Sequence, residues 1–165
     1  MSNRIASGWS NNTSAAVDGK RPNFEGSAHM RWNAVGPDYL TTLGTPLIEG
    51  RDFRDSDSAS APKVAIINET FAKRYLPSQN PIGHLVGMST RSDAPQYTIV
   101  GVAADSKYTG AREDATATAY FSYQQIRGIG TMHVEVHTRG RAEALLPPVQ
   151  RAVREFALTC RCSNR

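Results

Sequence analysis

The apolar positions of this chain change period several times, and each change marks an element. Lys63 to Ile67 (KVAII) is a nearly unbroken β-branched run, the pattern of a central strand buried on both faces. Asn68 follows at an N-cap position with Glu69 in the first turn. Phe71, Ala72 and Tyr75 then share one helical face, and Pro77 stops the helix. Tyr97 to Ala103 (YTIVGVA) is a second β-prone run, in which Gly101 marks a bulge or a close approach of backbone. Ala117 to Tyr123 and Met132 to Thr138 alternate as half-buried strands do. Phe24 to Val35 is expected to be extended, Pro37 opens a short helix over Asp38 to Leu43 that Gly44 ends, and Thr45 to Gly50 is a short apolar stretch. After the Asn80-Pro81-Ile82-Gly83 turn, His84 to Met88 predicts a short strand.

Elsewhere the period is lost. Residues 1–23 are rich in Ser, Asn, Gly and Ala and predict loop, as do the polar stretches 51–62 and 105–116. Near the end, Ala142, Leu145, Leu146, Val149, Val153 and Phe156 fall on a helical stripe. Proline inside a helix costs about 3 kcal/mol, so Pro147-Pro148 place the start of the regular helix near Pro147. Strands and helices without strict alternation make the fold class α+β, a mixed sheet with short helices.

Composition then narrows the function classes. The 165 residues suffice for one core and are too few for a fused ATPase. The net charge of +4 comes from residues 126–165 alone, which hold seven Arg against three Glu, while residues 1–125 balance at twelve against twelve. Those arginines (Arg127, Arg139, Arg141, Arg151, Arg154, Arg161 and Arg165) are interrupted by apolar residues and lack interleaved aromatics. A solvated helix face therefore accounts for them better than a nucleic-acid site. No stretch approaches the roughly 18 apolar residues of a spanning helix, and the first ten residues lack a signal-peptide pattern.

Candidate chemistry is sparse. His133, Glu135 and His137 would share one face of the predicted strand, opposite Met132, Val134 and Val136, and are the sharpest candidate for a metal. The solvent face of a half-buried strand explains the same pattern and is preferred, so no metal, cofactor or catalytic residue is assigned. Asp52, Asp55 and Asp57 lack the glycine and distal glutamate of a calcium loop and are read as solvated. Glu113-Asp114 is read likewise. Gly83 and Gly87 lack the Lys-Ser/Thr ending of a phosphate loop, and Ser89 is not on a strand-to-helix elbow. His29 and His84 read as isolated surface or turn residues. Cys160 and Cys162 are too close for an unstrained mutual disulfide and read as a frayed tail. Trp9, Trp32, Tyr120, Phe121 and Tyr123 are read as core aromatics rather than a ligand groove.

Residues 35–50 (VGPDYLTTLGTPLIEG) followed by Arg51-Asp52-Phe53, then KVAIINETFAKRYLPSQNPIG, YTIVGVAADSKYTGAREDATATAYFSYQQ and MHVEVHTRGRAEALLPPVQRAVREF, come in an order that resembles the periplasmic core domain of MacB-like, FtsX-like ABC-transporter permeases. The likeness covers roughly residues 28–156. It implies two interleaved subdomains: a porter-like piece from residues 1–35 and 126–160, and an inserted piece over 36–125, with 161–165 a tail. Membrane helices that flank such a domain, and the first strand-helix-strand unit of its porter-like piece, have no counterpart in these residues, so a piece of a longer permease is expected. The resemblance further implies a non-enzymatic domain on the periplasmic side of the cell membrane. Its partners would be the membrane-spanning part of the permease, a cytoplasmic ATP-binding subunit or domain, a periplasmic adaptor protein and a second copy in a homodimer. Two alternatives stay open: a stand-alone metal-binding module or metalloenzyme on His133, Glu135 and His137, and an envelope scaffold without transport.

Overall fold

A computed structural model describes residues 11–22, 28–106, 114–129, 131–138 and 140–162. Along the chain come β1 (Asn11–Ser14), β2 (Ala16–Val17), β3 (His29–Val35), α1 (Tyr39–Thr42), β4 (Leu47–Gly50), β5 (Val64–Asn68), α2 (Glu69–Tyr75), β6 (Leu85–Gly87), β7 (Gln96–Ala103), β8 (Thr118–Ser122) and α3 (Leu146–Cys162). Single turns of 3-10 helix lie at Tyr123–Gln125 and Ala142–Leu145. The strands make one mixed sheet in the order β1-β3-β8-β5-β7-β6-β2, with β4 beside β7 off that path. β3 with β8 and β5 with β7 are parallel, and the remaining pairs are antiparallel.

β5 lies at the centre because neither of its faces tolerates water. Ala65 and Ile67 join Phe71, Tyr75 and Leu76 of the α2 segment, with Ile99, Val102, Ala119 and Phe121, in the larger core. Val64 and Ile66 point the other way, into a second core with Val35, Tyr39, Leu40, Phe53 and Tyr120. One strand thus feeds two cores, as the KVAII run predicts. Each buried Val, Ile or Phe contributes about 1.5–3 kcal/mol by leaving water.

Gly101 meets its expectation in two ways. β5 pairs Ala65 with Ile99 and then Ile66 with Gly101, so Val100 is bulged out of register. A Cβ on Gly101 would also come within 2.5 Å of the Arg51 carbonyl oxygen. Gly50 faces the same contact from the other side: its φ is 77°, and a Cβ there would meet the Val100 carbonyl oxygen at 2.2 Å.

Three expectations are corrected. Residues 11–17, read as loop, carry β1 and β2; the sequence NNTS has no apolar alternation because β1 is an edge strand with alternate residues exposed. Met132 to Thr138 is not a strand, and no β-ladder partner engages it. Helix α3 starts at Leu146 and continues through Cys162, so the segment holding both cysteines is helical rather than frayed. Pro147 and Pro148 sit in its first turn, where their missing N–H groups would be unbonded anyway.

The chain divides into two units, residues 1–135 and 136–165. The second is dominated by α3, whose described side chains Leu146 to Glu155 are all exposed.

Asn68 ties the first unit together. Its Oδ1 accepts from the N–H of Phe71 at 3.0 Å, capping α2, and from the N–H of Thr118 at 2.8 Å, holding β8. Its Nδ2 donates to the Thr116 carbonyl at 2.9 Å and to Asp105 Oδ1 at 2.6 Å. Asp105 in turn accepts from the Thr70 N–H and hydroxyl at 3.0 and 2.7 Å. Asn68→Ala strips all four contacts of a buried amide and is expected to lower the unfolding free energy by about 3 kcal/mol in chemical denaturation. Asn68→Asp keeps the cap but sets a carboxylate against Asp105. Combining it with Asp105→Asn should recover about 1 kcal/mol, and strictly additive losses would contradict the direct contact.

Candidate functional site

The most highly organised polar cluster lies where the chain leaves β4 and returns to β5. Asp57 closes a two-point ion pair with Arg51, Nη1 to Oδ2 at 2.8 Å and Nη2 to Oδ1 at 2.9 Å, and also accepts from the N–H of Arg54 at 2.9 Å. Arg51 Nη1 donates to the Asp52 carbonyl as well. From the other side, buried Gln125 accepts from the N–H of Val64 at 2.9 Å and donates to the carbonyls of Ser58 and Pro62 at 3.1 and 3.0 Å. The Ser122 hydroxyl donates to the Asp57 carbonyl at 3.2 Å. Residues 51–62 are therefore braced by side chains from three places in the sequence. This corrects the expectation that Asp57 is solvated.

Charge follows the geometry. The Arg51 guanidinium bonded to Asp57 holds that carboxyl below its usual range, against the opposing effect of burial, while Arg51 itself is raised by the same bond. Asp52 moves the other way: burial raises it, the Phe53 N–H resists, and nearby Asp38 adds to the rise. At the far end of the sheet, burial disfavours the charged form of Asp18. The Leu85 N–H and His84, whose Nδ1 lies 2.8 Å from Asp18 Oδ2, outweigh that and lower it. His84 is thus paired rather than isolated, and His29 anchors α2 through its carbonyl, which accepts from the Tyr75 hydroxyl at 2.7 Å.

The metal candidate loses its scaffold. With no strand over residues 132–138, the alternation that set His133, Glu135 and His137 opposite the valines disappears, and Val134 and Val136 are 79% and 53% exposed. Among the described residues no group of three His, Cys, Asp or Glu side chains is placed to hold a metal ion. Of the aromatics, Trp32 packs edge-on to Phe121 at 6.3 Å and Tyr120 lies 6.0 Å from Tyr39, in the two cores. Tyr123 departs from that expectation: it is exposed and lines a cleft of about 200 Å³ with Gly36, Pro37, Tyr39, Thr42 and Met132 to Glu135. Asp114 is exposed, and Trp9 and Glu113 lie outside the described residues.

The amides and carboxylates of the Asn68, Arg51 and Gln125 clusters bond backbone and each other, and so brace the loops they join. Sequence reasoning found Asn68 as a cap and missed Gln125 and the Arg51–Asp57 pair. The partners of Gln125 are up to 67 residues away, beyond the reach of any local pattern, while Arg51 and Asp57 are six residues apart in a loop with no period to pair them.

A mixed sheet whose central strand β5 is buried on both faces, with short helices beside it, defines an α+β domain. Residues 4–156 match the model of the MacB-like periplasmic core domain, and the chain belongs to that family, whose members are periplasmic components of transporter permeases. Its fold is similar to the periplasmic region of MacB from Actinobacillus actinomycetemcomitans, at 16% identity and a TM-score of 0.62 over 89% of this chain. It is also similar to the extracellular domain of the noncanonic ABC-type transporter YknZ from Gram-positive bacteria (17%, 0.55, 82% of this chain). A permease domain from Porphyromonas gingivalis is similar too (12%, 0.54, 88% of this chain). The chain spans 64%, 64% and 65% of those three chains. Comparison with curated proteins returned no match. No helix among the described residues is long and apolar enough to cross a membrane.

The Arg51–Asp57 pair predicts an acid-sensitive loop. A lowered carboxyl contributes stability that is fully present above its unfolded value of about 3.9 and is lost as pH falls through the still lower folded value. Asp52, being raised, contributes in the opposite sense, favouring the fold at low pH. Asp57→Asn is expected to cost about 2 kcal/mol at pH 7, with the gap to the parent closing below about pH 3 in denaturation series. A pH-independent gap would show that the charge is not what matters.

Proposed function

We propose that this chain is the extracytoplasmic domain through which a MacB-like permease converts ATP hydrolysis in a cytoplasmic partner into movement outside the membrane, acting on cargo or adaptor proteins by contact. The family match over residues 4–156 carries this reading. The braced sheet supports it, because packed units that keep their shape transmit displacement as rigid bodies. Export and envelope work then differ only in what the domain touches.

The apolar side chains left in water support a second part of the proposal. In the C-terminal unit Val136, Leu146 and Val153 are 53–59% exposed, and apolar side chains left in water favour a contact surface. We assign the C-terminal unit to a porter-like subdomain that further segments of the permease complete, in a transporter that acts as a homodimer.

The test uses a single cysteine at Val153 in a Cys160→Ser, Cys162→Ser background, read by a membrane-impermeant maleimide on intact cells and on the isolated 165-residue chain. In the full permease the site is expected to react from outside, at least about tenfold more slowly than in the isolated chain, and at rates that differ between nucleotide-free and ATP-trapped transporter. Labelling only after lysis would overturn the location. Equal rates in the two nucleotide states would favour a static envelope scaffold.

A further inference from the structure

A second cleft, of about 460 Å³, opens between the start of β5 and the turn that follows β8, lined by Lys63, Met88, Pro95, Tyr97, Gln125 and Ile126, with Arg127 as its seventh residue. Its lining includes two cations and no acid. Lys63 Nζ stands 5.5 Å from the centroid of the Tyr97 ring, itself only 2% exposed. No carboxylate among the described residues forms an ion pair with Lys63 or Arg127.

From these features we propose that this cleft binds a small carboxylate with an apolar body. The uncharged body would rest among Met88, Pro95, Tyr97 and Ile126, and the carboxylate would meet Lys63 and Arg127. Three observations favour such a ligand. The size falls within the range of small-molecule sites, about 300–1,000 Å³. The apolar lining alone would accept a neutral body, but two cations that no described carboxylate pairs select a negative one. The frame is also preset: the backbone around Lys63 is held by the Thr98 N–H donating to the Lys63 carbonyl at 2.9 Å, and by Gln125 bonded to the Val64 N–H and the Pro62 carbonyl. A preset frame spares a ligand the entropy of ordering the site.

This site is independent of the transport reading, and its test needs only the 165-residue chain. Amide-resolved NMR titration with 2-naphthoate is expected to shift signals of Lys63, Tyr97 and Ile126 together, with an affinity about tenfold or more above that for uncharged 2-naphthamide. Lys63→Gln and Arg127→Gln should each remove most of that preference, and 0.5 M salt should shrink it to about threefold or less. Lys63→Arg should keep it, separating lost charge from lost fold. Equal binding of acid and amide, shifts confined to another surface, or a preference that survives both glutamine variants would overturn the proposal.

Discussion

A strand with no solvent-facing side imposes one demand on everything around it: each polar group at its ends must be answered from within the protein. β5 is that strand. Its first N–H is met by Gln125, and its last residue, Asn68, spends a whole amide on α2, β8 and the segment after β7. An unanswered buried group costs about 1–3 kcal/mol. The two amides therefore fix where β8 lies and where the loops before and after β5 run. The Arg51–Asp57 pair extends the same logic outward, because the loop that Gln125 grips also needs its own turn held.

Those demands explain what was legible in the chain. Period and punctuation sufficed for β5, α2, β7, β8 and α1, since each rests on local steric rules: β-branched runs, the Asn68 cap, Gly44 with φ at 69°, Pro77 as a stop. The family resemblance was legible as well, from blocks in order. β1 was not, because an edge strand needs only backbone partners and NNTS advertises none. Residues 132–138 failed in the opposite sense: the alternation is present in the sequence, yet a strand also needs a neighbour to pair with. The bracing side chains were invisible because their partners are set by topology. A glutamine at 125 has no reason to be buried until β8 delivers it beside Pro62.

The two units differ in how far they satisfy themselves. In the first, both faces of β5 are covered by apolar residues and the amides of Asn68 and Gln125 are used. In the second, Leu146, Val149 and Val153 remain in water along one side of α3, while Arg151 and Arg154 occupy another sector of the helix. An amphipathic helix gains most of its stability from covering its apolar side. The excess positive charge of the chain lies in this same region, so its electrostatic character belongs to the part that is least self-contained.

The paired glycines at 50 and 101 bear on stiffness. Where most neighbouring elements meet through side chains that can rotate and yield, the end of β4 and the middle of β7 meet main chain to main chain, with no room for a single methyl group on either side. A push on the stretch that begins at Arg51 therefore arrives at the sheet's interior undamped. Such a junction behaves as a weld rather than a bearing, and it leaves compliance to be found elsewhere in the chain.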